Sequence, residues 1–206
     1  MSRCLVGSEM CIRDSLYAGA VWGLFWIPLR ELEDAGFQGL WITVVYFLIP
    51  TLCLFPVTIW RWKYVKRGGF QLQLTAIISG GALFLYSTSI VYTEVVRAIL
   101  LFYLTPVWGL ILGRIFLGDK ISTPRFIAMI LAIIGMLTIF GLGAKFPLPQ
   151  NLGDWLGLCS GFMWAIAMVL INKNKNHSTI ELTLGFFQWS LTVSYTHLTL
   201  PTTRYV

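Results

Sequence analysis

Arg97 is the residue whose chemistry stands out most from its surroundings, because it lies near the start of a long apolar run, residues 95–117. A charge inside a membrane costs at least about 2.5 kcal/mol near the bilayer centre, and less at an end from which the side chain reaches water. A guanidinium at such a place can hold a carboxylate or a phosphate of a small solute. Alternatively, Arg97 snorkels to the surface or pairs with Glu94, three residues earlier on the same helical face. Both interpretations stay open.

Aromatic and hydroxyl side chains form the second group with chemical potential. Several recur at helical steps, such as Trp22 with Trp26, and Tyr86 with Ser89 and Thr93. Side chains of this kind can stack on, or hydrogen-bond to, a small amphipathic solute or cation, although packing and interfacial anchoring are competing explanations for any single one. The candidate solute-binding residues are Trp22, Trp26, Tyr86, Tyr92, Arg97, Tyr103 and Trp164.

The sequence offers little that is typical of an enzyme. It contains no phosphate-binding loop, no paired catalytic carboxylates and no cluster with metal-ligand spacing. Cys53 and Cys159 lie in apolar segments and are expected to be small buried hydrophobic residues. The basic stretch from Arg61 to Arg67 is interpreted as a topology signal rather than a lipid or nucleic-acid site. We therefore predict no catalysis, no cofactor, no metal and no nucleic-acid partner.

The elements that carry these residues are predicted to be membrane-spanning helices. Hydrophobic residues make up 57% of the chain and charged residues only 12%, so lipid must cover most of its apolar surface. At about 1.5 Å per residue, the run 95–117 extends roughly 35 Å, enough for a bilayer core with a little tilt. The predicted fold class is an all-α, polytopic membrane helical bundle, with the lipid bilayer as its solvent.

Seven apolar segments follow one another along the chain. The predicted segments cover residues 16–29, 37–60, 71–92, 95–117, 125–142 and 152–171, and a seventh opens at residue 182. We expect a polar loop over residues 30–36 and a compact basic turn over residues 61–69. The fourth segment is expected to be one helix with Pro106 in its middle, and Gly109 and Gly113 form a GxxxG pattern typical of close helix packing.

The two ends of the chain are expected to differ in origin from the rest. One DNA element, read in opposite orientations, can encode both Glu9 to Ser15 and Val193 to His197. It resembles the mosaic end of a transposon-based sequencing adapter. We therefore expect residues 1–15 and 193–206 to be adapter-derived, with the native N-terminus unknown and the natural chain continuing past Leu191.

The distribution of Lys and Arg predicts the orientation in the membrane. The loops after the second, fourth and sixth segments hold nine of these residues: Arg61, Lys63, Lys66, Arg67, Arg114, Lys120, Arg125, Lys173 and Lys175. The opposite side holds three, namely Arg30, Arg97 and Lys145. Because cytoplasmic loops carry the excess of positive charge, the N-terminus is predicted to be cytoplasmic.

An internal repeat is indicated by the first and sixth segments. An ungapped comparison pairs Leu16 with Leu158, Gly19 with Gly161, and Trp22 with Trp164. If the sixth segment restarts the unit, each unit has five helices, and an odd number places the second unit upside down in the membrane. Inverted repeats of this kind are typical of secondary transporters, whose solute site lies near the midplane between the halves.

These residues resemble the EamA-type transporters of the drug/metabolite transporter superfamily. The likeness is carried by AILLFYLTPVWGLILGRIFLGDKIS, by AGAVWG with Trp22 and Gly23, and by GDWLGLCSGFMWAIAMVL. The resemblance implies ten helices in two inverted five-helix repeats, residues 16–144 forming the first and residues 145–192 the start of the second. It also implies movement of small organic solutes across the bacterial inner membrane. Asp119 stands where the family commonly has Glu, and the last helices are missing.

The sequence is interpreted as a truncated secondary transporter that moves a small organic metabolite or drug, most plausibly outward, as a multi-pass protein of the inner membrane. The fragment itself is expected to be inactive. The alternative is a non-transporting membrane scaffold, or a half-transporter subunit that completes a cavity as a homodimer.

Overall fold

A computed structural model of the protein describes residues 8–119, 122–141, 149–173 and 178–199, with side chains for these residues except 8–15 and 139–141. Within these ranges the chain forms helices and short connections, and contains no strand. The helices are α1 (Ser8–Gly23), α2 (Trp26–Asp34), α3 (Leu40–Trp60), α4 (Trp62–Arg67), α5 (Gly69–Tyr92), α6 (Val95–Phe102), α7 (Thr105–Phe116), α8 (Thr123–Gly141), α9 (Leu152–Lys173) and α10 (Thr179–Thr199).

Four stretches among the described residues are long and apolar enough to cross a membrane. They are Leu40–Trp60, Gly69–Tyr92, Val95–Phe116, which combines α6 and α7, and Leu152–Lys173. The predicted all-α membrane bundle is therefore confirmed. Helices α1 and α10 extend into the two ends for which an adapter origin is expected, and that expectation stays a prediction.

The first predicted segment is divided into α1 and α2, and the polar loop expected over residues 30–36 is wrong. Pro28 lies in the first turn of α2, where a missing backbone N–H is tolerated. In a continuous helix its ring would clash with the carbonyl oxygen of Leu24, and the chain bends at Leu24 instead. The charged residues that follow continue the helix to Asp34. Arg30 then donates through Nη2 to the carbonyl oxygen of Ile90 at 3.0 Å and through Nη1 to Glu33 at 2.5 Å.

The centre of the bundle is α5, of which fourteen residues are buried. Its small residues allow close approach, as the sequence predicts: a Cβ at Gly80 would lie 2.8 Å from the backbone nitrogen of Ser190 in α10. On its other flank, Ser89 Oγ donates to the carbonyl oxygen of Gly153 in α9 at 2.7 Å. Helices α9 and α10 thus pack directly on α5.

The fourth predicted segment is interrupted where a continuous helix was expected. Residues Tyr103 and Leu104 separate α6 from α7, and Pro106 occupies the first turn of α7. Because Pro106 has no N–H for the carbonyl of Phe102, that oxygen accepts a hydrogen bond from Thr105 Oγ1 at 2.5 Å instead. The break creates a local concavity beside α9.

Two smaller expectations are also wrong. The basic stretch after α3 forms the short helix α4 rather than a turn, because Val65 is buried against Leu72 and Leu184 and holds one face of it inward. Cys53 and Cys159 are exposed on the bundle surface, not buried. In this membrane protein that surface is available to lipid.

One end of the bundle gathers several of the basic residues assigned to the cytoplasm. Arg61, at the end of α3, pairs with Glu181 at the start of α10, and Lys173 Nζ lies 5.6 Å from the ring centroid of Phe116. Three residues of the charge count, Lys120, Lys145 and Lys175, lie outside the described residues. The direction of the bundle in the membrane stays a prediction.

Candidate functional site

An aromatic cluster at the centre of the bundle brings three predicted site residues together. The ring of Trp22 stacks on Tyr86 with centroids 5.7 Å apart and an interplanar angle of 10°, and it lies 6.1 Å from Trp164. Phe102 closes the cluster, 4.6 Å from Tyr86 and 5.8 Å from Trp22. These rings form one aromatic wall, to which four helices contribute: Trp22 from α1, Tyr86 from α5, Phe102 from α6 and Trp164 from α9.

Helix packing fixes the positions of the side chains in this aromatic wall. Tyr86 and Phe102 are buried, at 2% and 5% exposure, whereas Trp22 and Trp164 are only half-buried. A Cβ at Gly161 would lie 2.9 Å from the Phe102 carbonyl oxygen and 3.0 Å from Thr105 Oγ1. The missing side chain thus lets α9 approach the α6–α7 break, which sets Trp164 beside Phe102.

A cleft of about 380 Å³ adjoins the cluster between α6–α7 and α9. Tyr103 and Trp164, two of the predicted site residues, line it together with Phe102. Its polar lining is sparse, and consists of Thr105, Asp119 and Asn172. A concave, mostly apolar site with a few polar groups is typical of small-molecule binding.

Arg97 forms an ion pair with an acidic residue of α9. Its Nη2 and Nε lie 2.5 and 3.3 Å from the two carboxylate oxygens of Asp154, in the first turn of α9. Asp154 is fully buried, and it also accepts from Thr93 Oγ1 at 2.8 Å and from the backbone nitrogen of Gln150 at 3.0 Å. Arg97 in α6 thus forms an ion pair with a residue of α9 that lies 57 positions later in the chain.

The remaining predicted residues lie away from the cluster. Trp26 is 36% exposed on α2, and Tyr92 is 41% exposed at the end of α5. The Tyr92 hydroxyl lies near the start of α3, only 3.3 Å from where a Cβ on Gly39 would be. Neither contacts the aromatic wall among the ring contacts of the described residues.

The sequence reasoning missed four aromatic residues of this centre. Phe25, Phe102 and Phe186 contact predicted members of the cluster, and the ring of Tyr46 lies 4.9 Å from that of Phe25. A helical step of three from Trp22 points to Phe25, but the others follow from tertiary packing. Gly109, in the predicted GxxxG pattern, has nothing within 4 Å of a Cβ position, so it makes no close helix contact within the described chain.

Comparison with known proteins places the chain in a family. Residues 15–141 match the EamA-like transporter family, which is more than half of the chain. The chain is 24% identical to Protein RarD of Escherichia coli over 137 residues and 31% identical to Protein RarD of Salmonella typhi over 137 residues. It is 21% identical over 150 residues to an uncharacterized transporter of Helicobacter pylori.

These alignments cover 60% of the chain and 44% of each RarD protein, and 71% of the chain and 47% of the Helicobacter pylori protein. The chain thus spans less than half the length of these curated relatives. No solved structure matches it. The match over residues 15–141, the helical bundle and the four apolar spans agree with one another. The chain belongs to the EamA-like transporter family of the drug/metabolite transporter superfamily, and it is a multi-pass membrane protein.

Proposed function

We propose that the full-length protein is a secondary transporter that moves a small organic metabolite or drug outward across the bacterial inner membrane, with no catalytic step. Its N-terminus is cytoplasmic in this proposal, and an ion gradient or solute exchange supplies the energy. The family and the transporter relatives support this assignment. Residues 16–192 alone do not transport, because an inverted-repeat carrier builds its solute site from both halves.

The observation that carries the proposal is the contact between Trp22 and Trp164. The repeat comparison pairs these two residues with each other, and their ring centroids lie 6.1 Å apart. Equivalent residues of two repeats meet only near the axis that relates the repeats. In inverted-repeat transporters the solute site lies at that interface, near the midplane. The tryptophan pair therefore supports a solute site at the aromatic wall.

Three of the predicted residues make up the solute-contacting surface in this proposal: Trp22, Tyr103 and Trp164. Tyr86 is buried and supports Trp22 by stacking on its ring. Aromatic faces bind an amphipathic solute by stacking or, for a cation, by attraction to the ring quadrupole. Arg97 acts instead as a positioning residue that holds α6 to α9, since its guanidinium already forms an ion pair with Asp154. Trp26 and Tyr92 are assigned to packing and to the membrane interface.

A homodimeric half-transporter or scaffold is the second candidate. The observation in its favour is the open space at Gly109, whose GxxxG partner Gly113 also lines the cleft between α7 and α9. A second copy can approach such a helix face closely. In that case the cleft is completed by the partner subunit.

Uptake into vesicles distinguishes the two candidates. The full-length protein and the fragment 16–192 are reconstituted separately, the vesicles are incubated with an external mixture of bacterial metabolites, and their contents are compared with those of protein-free vesicles by mass spectrometry. We expect at least one organic solute to accumulate with the full-length protein and none with the fragment. Accumulation with the fragment would favour the dimeric half-transporter, and no accumulation with either would favour the scaffold.

A further inference from the structure

The short helix α4 presents a row of cations to the surroundings. Lys63, Lys66 and Arg67 are all exposed, and no carboxylate in the described part of the chain forms an ion pair with them. Arg61 differs from these three, because Nε and Nη2 of its guanidinium bind Glu181 at 2.7 and 2.5 Å. Three positive charges therefore remain available to a ligand.

The orientation of α4 is fixed by one buried side chain. Val65 is 4% exposed and packs against Leu72 and Leu184, so the cationic face of the helix must point away from the bundle. Lys66 Nζ lies 5.3 Å above the ring of Trp62, and the Arg67 guanidinium lies 5.8 Å from the ring of Tyr64. Both aromatic side chains are about half exposed, which is typical of the membrane–water interface.

An apolar groove of about 360 Å³ begins at the same tryptophan. It is lined by Phe55, Thr58, Ile59, Trp62 and Gln188, from the last turns of α3, the start of α4 and the middle of α10. Phe55 and Ile59 are 55% and 61% exposed, so the groove is open on the outer surface of the described bundle. Trp62 thus joins an apolar groove to a cationic surface.

Beyond the topology role that the sequence alone indicates for this basic stretch, we propose that the groove and the cationic face of α4 form a binding site for an anionic phospholipid. One acyl chain lies in the groove along α3, and Lys63, Lys66 and Arg67 bind the headgroup phosphate. The combination selects such a lipid, because a soluble phosphate leaves the groove empty and a zwitterionic headgroup carries a cation beside its phosphate that the three basic side chains repel. Clusters of basic residues just beyond a membrane span attract anionic headgroups in the same way.

The test measures lipid binding to the purified full-length protein by native mass spectrometry, with dioleoyl phosphatidylglycerol, dioleoyl phosphatidylcholine and inorganic phosphate as separate probes. Each basic residue near the surface contributes roughly fivefold in affinity, so the triple variant K63Q/K66Q/R67Q is expected to bind phosphatidylglycerol about a hundredfold more weakly. The matched control R114Q/R125Q/K173Q removes three positive charges from other helices and is expected to change binding by less than about twofold.

A second pair of variants tests the groove itself. Ile59→Trp fills the groove and is expected to weaken phosphatidylglycerol binding at least about fivefold, whereas Ile115→Trp, on the exposed face of α7, leaves it unchanged. Equal losses in the two charge triples would overturn the site in favour of diffuse attraction. Equal binding of the two lipids, or complete competition by inorganic phosphate, would also overturn it.

Discussion

Replacing Asp154 by alanine is expected to destabilise the full-length protein by about 3–5 kcal/mol, because it leaves the Arg97 guanidinium without its carboxylate in a largely buried place. The carboxylate is fully buried and the side chain of Arg97 is only 11% exposed. Thr93 Oγ1 and the backbone nitrogen of Gln150 lose an acceptor at the same time. Titration with sodium dodecyl sulfate, followed by helical circular dichroism, measures the change in the free energy of unfolding.

The matched control for this prediction is Glu94→Ala. Glu94 lies only three residues before Arg97, but it is exposed. Its loss is therefore expected to cost less than about 1 kcal/mol. Asp154→Asn keeps the acceptor for Thr93 but removes the charge, and an intermediate loss is expected. If Glu94→Ala destabilises the protein as much as Asp154→Ala, the ion pair does not hold α6 to α9.

The second large effect is expected at Gly153, where α9 meets the end of α5. A Cβ at this position would lie 2.8 Å from both the Cβ of Thr93 and the carbonyl carbon of Tyr92, and 2.9 Å from the Thr93 nitrogen. Backbone atoms cannot move aside as a side-chain tip can. Gly153→Ala is therefore expected to cost about 1–3 kcal/mol in the free energy of unfolding, by the same titration.

Gly109→Ala is the control, because open space surrounds that position in the middle of α7. Alanine has the higher helix propensity, so this substitution is expected to be neutral or stabilising by up to about 1 kcal/mol. The two substitutions make the same chemical change, but only the one at Gly153 is expected to destabilise the protein. A loss at Gly109 as large as that at Gly153 would show that Gly109 faces a close helix partner, as in the dimer.

The spans could be predicted because hydropathy is a local property of the chain. Helices α3, α5 and α9 follow the apolar segments closely, and the small residues of α5 correctly indicated close packing. The breaks were harder, because a proline marks a weak point without showing what replaces the lost hydrogen bond. At Pro106 the hydroxyl of Thr105 replaces the lost backbone hydrogen bond, and the helix is interrupted there rather than kinked.

The site was only partly predictable, for the same physical reason. Helical spacing identified Trp22 and Tyr86 as candidates, and the repeat comparison linked Trp22 with Trp164. The ion pair of Arg97 depends on a residue 57 positions later, and local sequence pointed to Glu94 instead. Contacts across that distance are fixed by how α6 and α9 pack, which no local pattern contains.

Two variants of the full-length protein, Trp164→Ala and Trp155→Ala, test the central claim most directly. For both, uptake into vesicles is measured with the solute that the unmodified protein transports. Both tryptophans lie on α9, but Trp155 is 55% exposed and makes no ring contact with the aromatic wall among the described residues. We expect Trp164→Ala to reduce uptake about tenfold or more through a higher KM, since a stacking face is lost, and Trp155→Ala to leave uptake near that of the unmodified protein. Equal uptake by the two variants would contradict a solute site at the aromatic wall.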